Sequence, residues 1–371
     1  MQKIIGFLNL HHSPQLGGLT MNRPMASTTF LGRYAFMDFT LSNFSNSGID
    51  QVGILVKHQP RSILKHLGSR NTWNVNTKTG FEYIAYNDKA AFSDRYNHDF
   101  ANIRYNMWIL ESSAAEYVVI APAHFICTID YREVLASHIA NHAEITMVYQ
   151  HVKNARNHFI GSDILSISKD GLVTGMRSNK GTIEEADISM ETYIVNRTKL
   201  LEMMEEAANT SSFFGIHDLV AFHCGKSLRV HTYAYEGYLR CFDSLEHYVE
   251  YSFELLNYGV RQQLFRPDWP IYTVTHDTPP TEYKNHAVVR NSFIANGAVI
   301  YGQVENSIIS RQVTVERGAV VKNCIIFTDT HIGSQVQLNY VVVDKYAKVH
   351  YVQSIEGTED RPLYIKQGDE V

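Results

Sequence analysis

The sequence predicts an α/β domain with a mostly parallel sheet, followed by a parallel β-helix in the C-terminal part of the chain. Strand-like and helix-like segments alternate from the N-terminus to about residue 250, as in a parallel sheet that is covered by helices. From about residue 286 the helical pattern stops and aliphatic residues recur every six positions, a period typical of hexapeptide coils. A chain of 371 residues is also longer than one core of ordinary size and favours two domains.

The α/β part begins with an apolar run at residues 4–8, which has the pattern of a first buried strand. Gly48 has the position of a C-cap glycine at the end of a helix-like stretch. One predicted helix carries Leu200, Leu201, Met203 and Met204 on its apolar face. The further predicted strands cover 51–56, 117–120 and 145–149, and the predicted helices cover 131–141 and 198–208.

The C-terminal part contains a repeated four-residue phrase that begins with asparagine at Asn291, Asn306, Asn323 and Asn339. An antiparallel sandwich is the alternative to a β-helix, but a sandwich would alternate with a period of two. The ends of such a coil must be capped or paired, so this segment is a candidate for subunit contact. We predict a first domain at 1–265, a proline-punctuated linker at 266–285 and the β-helix at 286–371. The predicted inward residues are Val288, Ile294, Ile300, Ile309, Val315, Val321, Ile326, Ile332 and Leu338.

Composition excludes several classes of function. A net charge of -5 and a pI near 6.4 give no reason to expect binding to nucleic acid or to a membrane surface. The four cysteines have no C-x-x-C spacing, so neither a zinc knuckle nor a thioredoxin-type site is indicated. Apolar runs are too short for a signal peptide or a membrane span. We therefore expect a cytoplasmic protein.

Histidines are numerous, but their spacing does not indicate a metal site. The adjacent side chains of His11 and His12 diverge, which makes the pair a poor chelator. His138 and His142 have the spacing of two zinc ligands on a helix, but no third ligand is evident, and a solvated helix face is favoured. His124 follows the strand at 117–120, where phosphoryl chemistry needs a carboxylate for Mg²⁺, and a histidine suits that hard cation poorly.

Several phrases of the chain resemble the bacterial glucose-1-phosphate adenylyltransferase family. They are LGRYAFMDFTLSNFSNSGIDQVGIL at 31–55, HLG with Trp73 shortly after it, EGYLRCFDSLEHY at 236–248 and PPTEYKNHAVVRNSFIANGAVIYGQVENSII at 279–309. The resemblance implies a Rossmann-like nucleotidyltransferase domain, a left-handed β-helix and a tetramer. It also implies a place in glycogen synthesis, where the family makes ADP-glucose from ATP and glucose 1-phosphate.

The family's catalytic motifs are replaced in this chain. In a gap-free alignment, Gln15 stands for the catalytic arginine of the phosphate loop and Met25 for the lysine of a Lys-Pro pair. His124 and Cys241 stand for the two aspartates that hold Mg²⁺, and Asn179 stands for the lysine that binds the sugar phosphate. Loss of a single cation aimed at a transition-state phosphate typically costs about 10² to 10³ in rate. We therefore expect no catalytic, cofactor or metal site on this chain.

This set of replacements resembles the non-catalytic, regulatory-type subunit of some Gram-positive bacteria. The resemblance implies a hetero-oligomer with a catalytic paralogue that binds Mg²⁺ and ATP. It also implies binding of a phosphorylated effector by Arg23, which falls in the family's effector-binding segment, and by Arg33, which matches the lysine of the family's G-G-K-Y/F phrase. Two alternatives stay open at this point. One is an active sugar-phosphate nucleotidyltransferase with a rearranged site that uses Asp130, His124 or Lys180, and the other is a β-helix scaffold or binding protein.

Overall fold

The computed structural model of the chain describes residues 4–68, 72–73, 80–90 and 93–371. These residues form two compact units, each built from separate stretches of the chain. The first unit comprises Met1–Ser13, Met37–Cys241 and Asp268–Tyr272, and the second comprises Pro14–Phe36, Phe242–Pro267 and Thr273–Val371. The units therefore divide the chain differently from the predicted boundaries at 265 and 286, which stay a prediction.

Both units draw elements from the first two thirds of the chain. The strands described there are β1 (Ile4–Asn9), β2 (Thr29–Phe30), β3 (Tyr34–Ala35), β4 (Gln51–Val56), β5 (Phe81–Tyr86), β6 (Tyr117–Pro122), β7 (Phe125–Cys127), β8 (Ile145–Val152), β9 (Asp163–Ile167), β10 (Val173–Ser178), β11 (Ala186–Asn196), β12 (Val230–Ala234) and β13 (Leu239–Cys241). The helices are α1 (Phe36–Asn46), α2 (Pro60–Leu67), α3 (Asp99–Tyr105), α4 (Trp108–Glu111), α5 (Tyr131–Ala140), α6 (Arg197–Thr210), α7 (Ile216–His223), α8 (Leu245–Glu254) and α9 (Tyr258–Leu264). Short 3₁₀ turns lie at Gly17–Thr20 and Met25–Ser27.

The first unit is organised around one mixed sheet. Its strand order is β10-β9-β11-β6-β1-β4-β5, with β8 paired to β11 and β12 paired to β8. The strands β6, β1, β4 and β5 are parallel, which confirms the predicted α/β arrangement. β11 runs antiparallel to β6, β8 and β9. Asn9 and Pro122 are register partners, so the carboxyl ends of β1 and β6 lie side by side.

Local signals in the first unit agree with the sequence. The α1 helix is followed by Gly48 at φ +75°, and the Gly48 N–H donates to the Ser45 carbonyl at 2.9 Å, as a C-cap residue does. On α6, Leu200 and Met203 are buried, whereas Leu201 is 38% exposed, so the predicted apolar face is narrower than expected.

The interpretation of a solvated helix face is wrong for His138. Its side chain is buried, with Nδ1 at 2.8 Å from Thr146 Oγ1 and Nε2 at 2.9 Å from Asn196 Oδ1. Burial lowers the pKa of His138, so a neutral imidazole is the stable form. His142 lies beyond the end of α5, in the left-handed region at φ +48°. The two histidines therefore do not share a helix face.

The second unit contains the predicted β-helix. Three parallel sheets of five strands each stack successive coils, in the orders β14-β17-β20-β23-β26, β15-β18-β21-β24-β27 and β16-β19-β22-β25-β28. The strands are β14 (Glu282–Tyr283), β15 (Val288–Arg290), β16 (Phe293–Ile294), β17 (Val299–Ile300), β18 (Gln303–Glu305), β19 (Ile308–Ile309), β20 (Thr314–Val315), β21 (Val320–Lys322), β22 (Ile325–Ile326), β23 (His331–Ile332), β24 (Gln337–Asn339), β25 (Val341–Val343), β26 (Lys348–Val349), β27 (Ser354–Glu356) and β28 (Leu363–Ile365). The first of them, β14, falls in the stretch that the sequence assigned to a linker.

The predicted inward row of the β-helix is correct except at its start. Val288 is 39% exposed, and Val289 packs against the core in its place. Val289 is the register partner of Val304, and Val304 is the partner of Val321, so the inward row of that sheet passes through these valines. A strict period of six fails here because Ile294 follows Val289 by only five positions in the sequence.

The repeated asparagine marks the corners of the coils. Asn291, Asn306 and Asn323 have φ values of +42°, +45° and +48°, a region that asparagine enters more readily than most residues. Their side chains also form a ladder, in which Asn291 Nδ2 donates to Asn306 Oδ1 at 2.7 Å and Asn323 Nδ2 to Asn339 Oδ1 at 2.9 Å. The recurrence of the phrase therefore has a backbone cause at its first three positions.

Aromatic residues fill the remaining core of the second unit. Phe36 and Phe242 have ring centroids 4.7 Å apart, and Tyr248 lies 6.3 Å from Phe327 of the β-helix. The Tyr248 hydroxyl donates to the Thr29 carbonyl at 2.7 Å. Gly18 faces the Tyr364 ring, and a Cβ there would lie 2.0 Å from a ring carbon, so this turn requires glycine. Among the described helices of the chain, none has both the length and the apolar character that a membrane span needs.

Candidate functional site

Polar side chains gather at the edge of the first unit where β1 and β6 end. His12 follows β1, His124 follows β6, and Glu191 lies on the neighbouring strand β11. Asp163 begins β9, and His217 is in the first turn of α7. In open α/β sheets this edge is where ligands bind. We call these five residues the sheet-edge crevice.

The loop after β1 places His11 out of contact with water. His11 is 6% exposed, and its Nδ1 lies 3.1 Å from Asn9 Oδ1. The Asn9 amide in turn donates to Asp99 Oδ2 at 2.8 Å. Burial lowers the pKa of His11 to about 3, although the nearby Asp99 carboxylate acts in the opposite direction. His11 is therefore neutral at physiological pH and offers no positive charge to a phosphate.

Glu191 carries the central carboxylate of the sheet-edge crevice. Its Oε1 lies 3.6 Å from His124 Nε2 and its Oε2 lies 4.0 Å from His12 Nδ1. Burial by itself would raise the pKa of Glu191, but His124, His12 and His217 outweigh that effect and the pKa is lowered. Glu191 is therefore a stable anion that faces imidazoles.

The backbone at Glu191 is unusual for a residue with a long side chain. The pairing of β11 with β8 shifts register between Ser189 and Thr192, and Glu191 has φ +48° within that bulge. Its N–H donates to Ser189 Oγ at 3.1 Å. Left-handed backbone favours glycine and costs other residues about 1–2 kcal/mol. The fold thus holds a charged side chain in the crevice at an energetic cost.

His217 supplies the positive charge of the sheet-edge crevice. Its Nε2 lies 2.6 Å from Asp163 Oδ2, and its Nδ1 lies 3.8 Å from Asp218 Oδ1. The hydrogen bond to Asp163 and the nearby carboxylate of Asp218 raise the pKa of His217 to about 10 in spite of its burial. The rings of His12 and His217 meet edge to face, with centroids 5.3 Å apart. At neutral pH the cation of His217 is therefore already matched by two aspartates.

Two buried polar atoms beside these residues have no hydrogen-bond partner within the described part of the chain. They are His124 Nδ1 and the Tyr193 hydroxyl, whose residues are each 2% exposed. Burial and the nearby carboxylates of Glu191 and Asp163 raise the pKa of Tyr193. Buried polar groups without a hydrogen-bond partner are uncommon in native proteins, and a role in ligand binding or catalysis is one explanation for them.

Comparison with known proteins identifies the family. Residues 278–361 match the hexapeptide family described as GlmU-like, C-terminal, and residues 13–161 match the nucleotidyl transferase family. The glycogen biosynthesis protein GlgD of Bacillus subtilis is 31% identical over 99% of this chain and 96% of its own length. The GlgD protein of Geobacillus stearothermophilus is 35% identical over 94% of this chain and 92% of its own. A glucose-1-phosphate adenylyltransferase of Bacillus subtilis is 30% identical over 83% of this chain and 81% of its own length. The chain belongs to the glucose-1-phosphate adenylyltransferase family.

Three residues that the gap-free alignment places at catalytic positions of the adenylyltransferase family have structural contacts here. Asn179 is 1% exposed, and its amide donates to the carbonyls of Ala155, His158 and Phe159 at 2.7, 3.1 and 3.0 Å. Met25 is 1% exposed and lies in the apolar core. Gln15 is exposed, and its Oε1 accepts from Thr20 Oγ1 at 3.0 Å.

The positions of the family's two metal-binding aspartates do not fit Mg²⁺. His124 turns Nε2 toward Glu191, and Cys241 is buried with its sulfur 3.7 Å from Ser162 Oγ. Neither an imidazole nor a thiol is a ligand that this hard cation selects. The residues present therefore do not form the family's metal site.

The acid and the base that the sequence suggested as replacements are also placed elsewhere. Asp130 caps α5, where Oδ1 accepts from the Arg132 N–H at 2.9 Å, and its carboxylate pairs with the Arg132 guanidinium. Lys180 is exposed on the loop after β10. Sequence reasoning missed Glu191, Asp163 and His217. An acidic residue inside the otherwise apolar run of β11 is the signal that could have identified the first of them.

In the second unit, Arg23 is engaged by the protein itself. Its guanidinium pairs with Asp344, and both side chains are buried. Arg23 Nε donates to the Leu19 carbonyl at 2.9 Å, and the Tyr364 hydroxyl donates to Asp344 Oδ2 at 2.7 Å. The guanidinium also lies 5.8 Å from the ring centroid of Phe327. The effector role predicted for Arg23 stays a prediction, and this geometry gives the cation a structural role.

Arg33, by contrast, is exposed and lines a cavity of about 240 Å³ in the second unit. A second guanidinium, that of Arg261, lines the same cavity and lies 5.2 Å from the ring centroid of Phe293. Arg33 itself lies 5.3 Å from the ring centroid of Tyr34. No acidic side chain is among the residues that line the cavity, which are Leu31, Arg33, Tyr34, Arg261, Phe265, Phe293, Ile294 and Ala295. Two guanidiniums beside aromatic rings suit a phosphorylated ligand.

Proposed function

We propose that the chain is the regulatory, catalytically degenerate subunit of a glucose-1-phosphate adenylyltransferase in glycogen biosynthesis. The observation that carries the proposal is the fate of the residues that the family uses for catalysis. The residues at those positions in this chain are Gln15, Met25, His124, Asn179 and Cys241. None of these residues is a lysine, an arginine or a carboxylate, and four of the five are buried.

The chemistry explains why these replacements are decisive. Attack of a sugar phosphate on the α-phosphate of ATP brings several negative charges together, and catalysis depends on cations placed around them. The sheet-edge crevice instead presents the carboxylates of Glu191 and Asp163. A crevice with this charge disfavours both substrates.

The proposed partner is a catalytic paralogue of this chain, which supplies Mg²⁺, ATP binding and the reaction. The association is expected to give a hetero-oligomer, in the form of a tetramer, in the cytoplasm. The β-helix is the candidate contact, because its terminal coils leave strand edges that must be covered. A phosphorylated metabolite bound at Arg33 and Arg261 would let the subunit tune the catalytic partner.

Three preparations test the proposed subunit role: the chain alone, a motif-complete catalytic paralogue alone, and the two co-purified. We expect almost no ADP-glucose from this chain, and a mixed oligomer whose rate or saturation differs from that of the paralogue. Light scattering after size-exclusion chromatography measures the assembly. Substantial ADP-glucose formation by this chain alone would refute the proposal. Absence of both association and effect would favour the scaffold alternative.

A second experiment tests the effector cavity in the mixed oligomer. The Arg33→Ala and Arg261→Ala variants should weaken activation or inhibition by phosphorylated sugars without preventing assembly. Arg177 is a suitable control because it is an exposed arginine in the first unit, and Arg177→Ala should behave as the unmodified chain. An unchanged effector response in both cavity variants would remove the cavity from the proposal.

A further inference from the structure

Glu191 is the most unusual residue of the sheet-edge crevice, because a strained backbone position holds its charge there. Its φ of +48° lies in the region that favours glycine, within the register shift of β11. Only 17% of the side chain is exposed. A glutamate is retained at such a position only where the surroundings over-determine it, and strain of this kind clusters at functional sites.

The surroundings of the Glu191 carboxylate are those of a bound anion. His124 Nε2 and His12 Nδ1 lie 3.6 and 4.0 Å from its two oxygens, and they approach from the ends of β6 and β1. This edge of an α/β sheet is where the anionic groups of ligands ordinarily lie. Glu191 therefore occupies, with its own charge, the place that a ligand's negative charge would take.

The other charged groups of the crevice do not offset Glu191. His217 is held as a cation by Asp163 and Asp218, whose carboxylates lie 2.6 and 3.8 Å from its two nitrogens. That trio carries no surplus positive charge at neutral pH. The imidazoles of His12 and His124 are thus the groups that replacement of Glu191 would release.

We propose that Glu191 is an internal anion that excludes phosphorylated ligands from the sheet-edge crevice by its charge. This role goes beyond the proposed subunit function, because it concerns the exclusion of phosphorylated ligands from the isolated chain. It makes Glu191 a residue that sets ligand specificity. In this reading, inactivity rests on two separate features, the lost cations and an added carboxylate.

Calorimetric titration of the full chain tests the proposal with three probes: glucose 1-phosphate, inorganic phosphate and glucose. The wild-type chain should give no saturable binding of either anion at millimolar concentrations. Glu191→Gln keeps the size of the side chain and removes its charge, and should bind both anions at least about tenfold more tightly. Glu191→Gly, which also relieves the left-handed backbone, should bind them at least as well. Glucose has no charge and should respond little to Glu191→Gln.

The matched control is Glu185→Gln, which removes a carboxylate that is 62% exposed and lies 3.9 Å from His151 Nε2. This control should behave as the wild type. Melting temperatures establish that each variant is folded, and Glu191→Met, which also lacks the charge and keeps a long side chain, replaces Glu191→Gln if that variant fails to fold. Anion affinities of folded Glu191→Gln that equal those of the wild type would overturn the proposal. A gain in Glu191→Gly alone would also overturn it, because size rather than charge would then exclude the anions. The readout is binding by the isolated chain, so it is independent of any effect on a catalytic partner.

Discussion

The pairing of His217 with Asp163 predicts a measurable dependence of stability on pH. The pKa of His217 rises from 6.5 to about 10, chiefly through its hydrogen bond to Asp163 and the nearby carboxylate of Asp218. A histidine whose pKa is raised by folding stabilises the protein fully below its unfolded pKa. That contribution is lost as the pH rises from 6.5 toward 10, because the folded state then binds more protons than the unfolded state.

The size of the effect follows from the pKa difference. Each pH unit between the two pKa values changes the free energy of unfolding by about 1.4 kcal/mol. Between pH 7 and pH 9 the full effect is about 2.7 kcal/mol, and we expect about 2 kcal/mol because the side chain of His217 is 27% exposed and therefore partly screened. The wild type should therefore lose this amount relative to His217→Gln, which cannot be protonated.

Urea denaturation of the wild type and His217→Gln at pH 7, 8 and 9 measures the difference directly. The control is His151→Gln, because His151 lies 2.9 Å from Asp187 but is 53% exposed, and surface pairs contribute little. Relative to that control, the difference between the wild type and His217→Gln should shrink steadily with pH. A difference that stays constant from pH 7 to pH 9 would refute the reasoning, as would an imidazole signal of His217 that titrates near pH 6.5 in NMR spectra.

Three further changes test other parts of the structure. Asp344→Asn leaves the buried Arg23 cation unpaired and should lower the free energy of unfolding by about 3–5 kcal/mol. The control Glu184→Gln removes one partner of an exposed ion pair and should lower it by about 0–1 kcal/mol. Similar losses in the two variants would contradict the buried pairing. The pKa of His11 is about 3 in the folded state and 6.5 in the unfolded state, so the unfolded state takes up the extra proton as the pH falls. From pH 6.5 to pH 4 the free energy of unfolding of the wild type should therefore fall by about 3 kcal/mol relative to that of His11→Gln. Parallel acid-unfolding curves of the two proteins would contradict this. Asn179→Lys removes three buried hydrogen bonds and buries a charge, so it should lower the free energy of unfolding by about 3–5 kcal/mol. Gln15→Arg, at an exposed position, should change it by no more than about 0.5 kcal/mol. Equal effects of the two substitutions in urea denaturation would refute this contrast.

Local periodicity was sufficient to predict most of the fold. The alternation of segments indicated the α/β sheet, and the period of six indicated the coils, because both patterns repeat within a few residues. Val288 was misplaced because the step from this sheet to the next is five positions rather than six, as it is from Val304 to Ile309, and a fixed period of six does not register it. The prediction for His138 was wrong for a different reason. Its hydrogen-bond partner Asn196 lies on β11, far away in the sequence, so no local pattern shows that His138 is buried.

The sheet-edge crevice was less predictable from the sequence. Lost motifs could be recognised at His124 and Asn179, because each stands at a fixed position in a known phrase. Glu191, Asp163 and His217 have no such phrase, and they meet only because β11, β9 and α7 converge on one edge. Left-handed backbone at Glu191 is likewise set by the bulge of β11, a tertiary feature with no local sequence signature.

Two contacts in the first unit would oppose the introduction of the family's catalytic residues at Asn179 and His124. A lysine at Asn179 would remove the buried side-chain amide that donates hydrogen bonds to three backbone carbonyls. An aspartate at His124 would replace the imidazole that lies 3.6 Å from Glu191 Oε1 by a second carboxylate near the same anion, and like charges repel each other. Each substitution is therefore unfavourable until its neighbour has also changed. On the proposed function such mutual dependence is expected, because a subunit that leaves catalysis to its partner needs only its fold and its contacts.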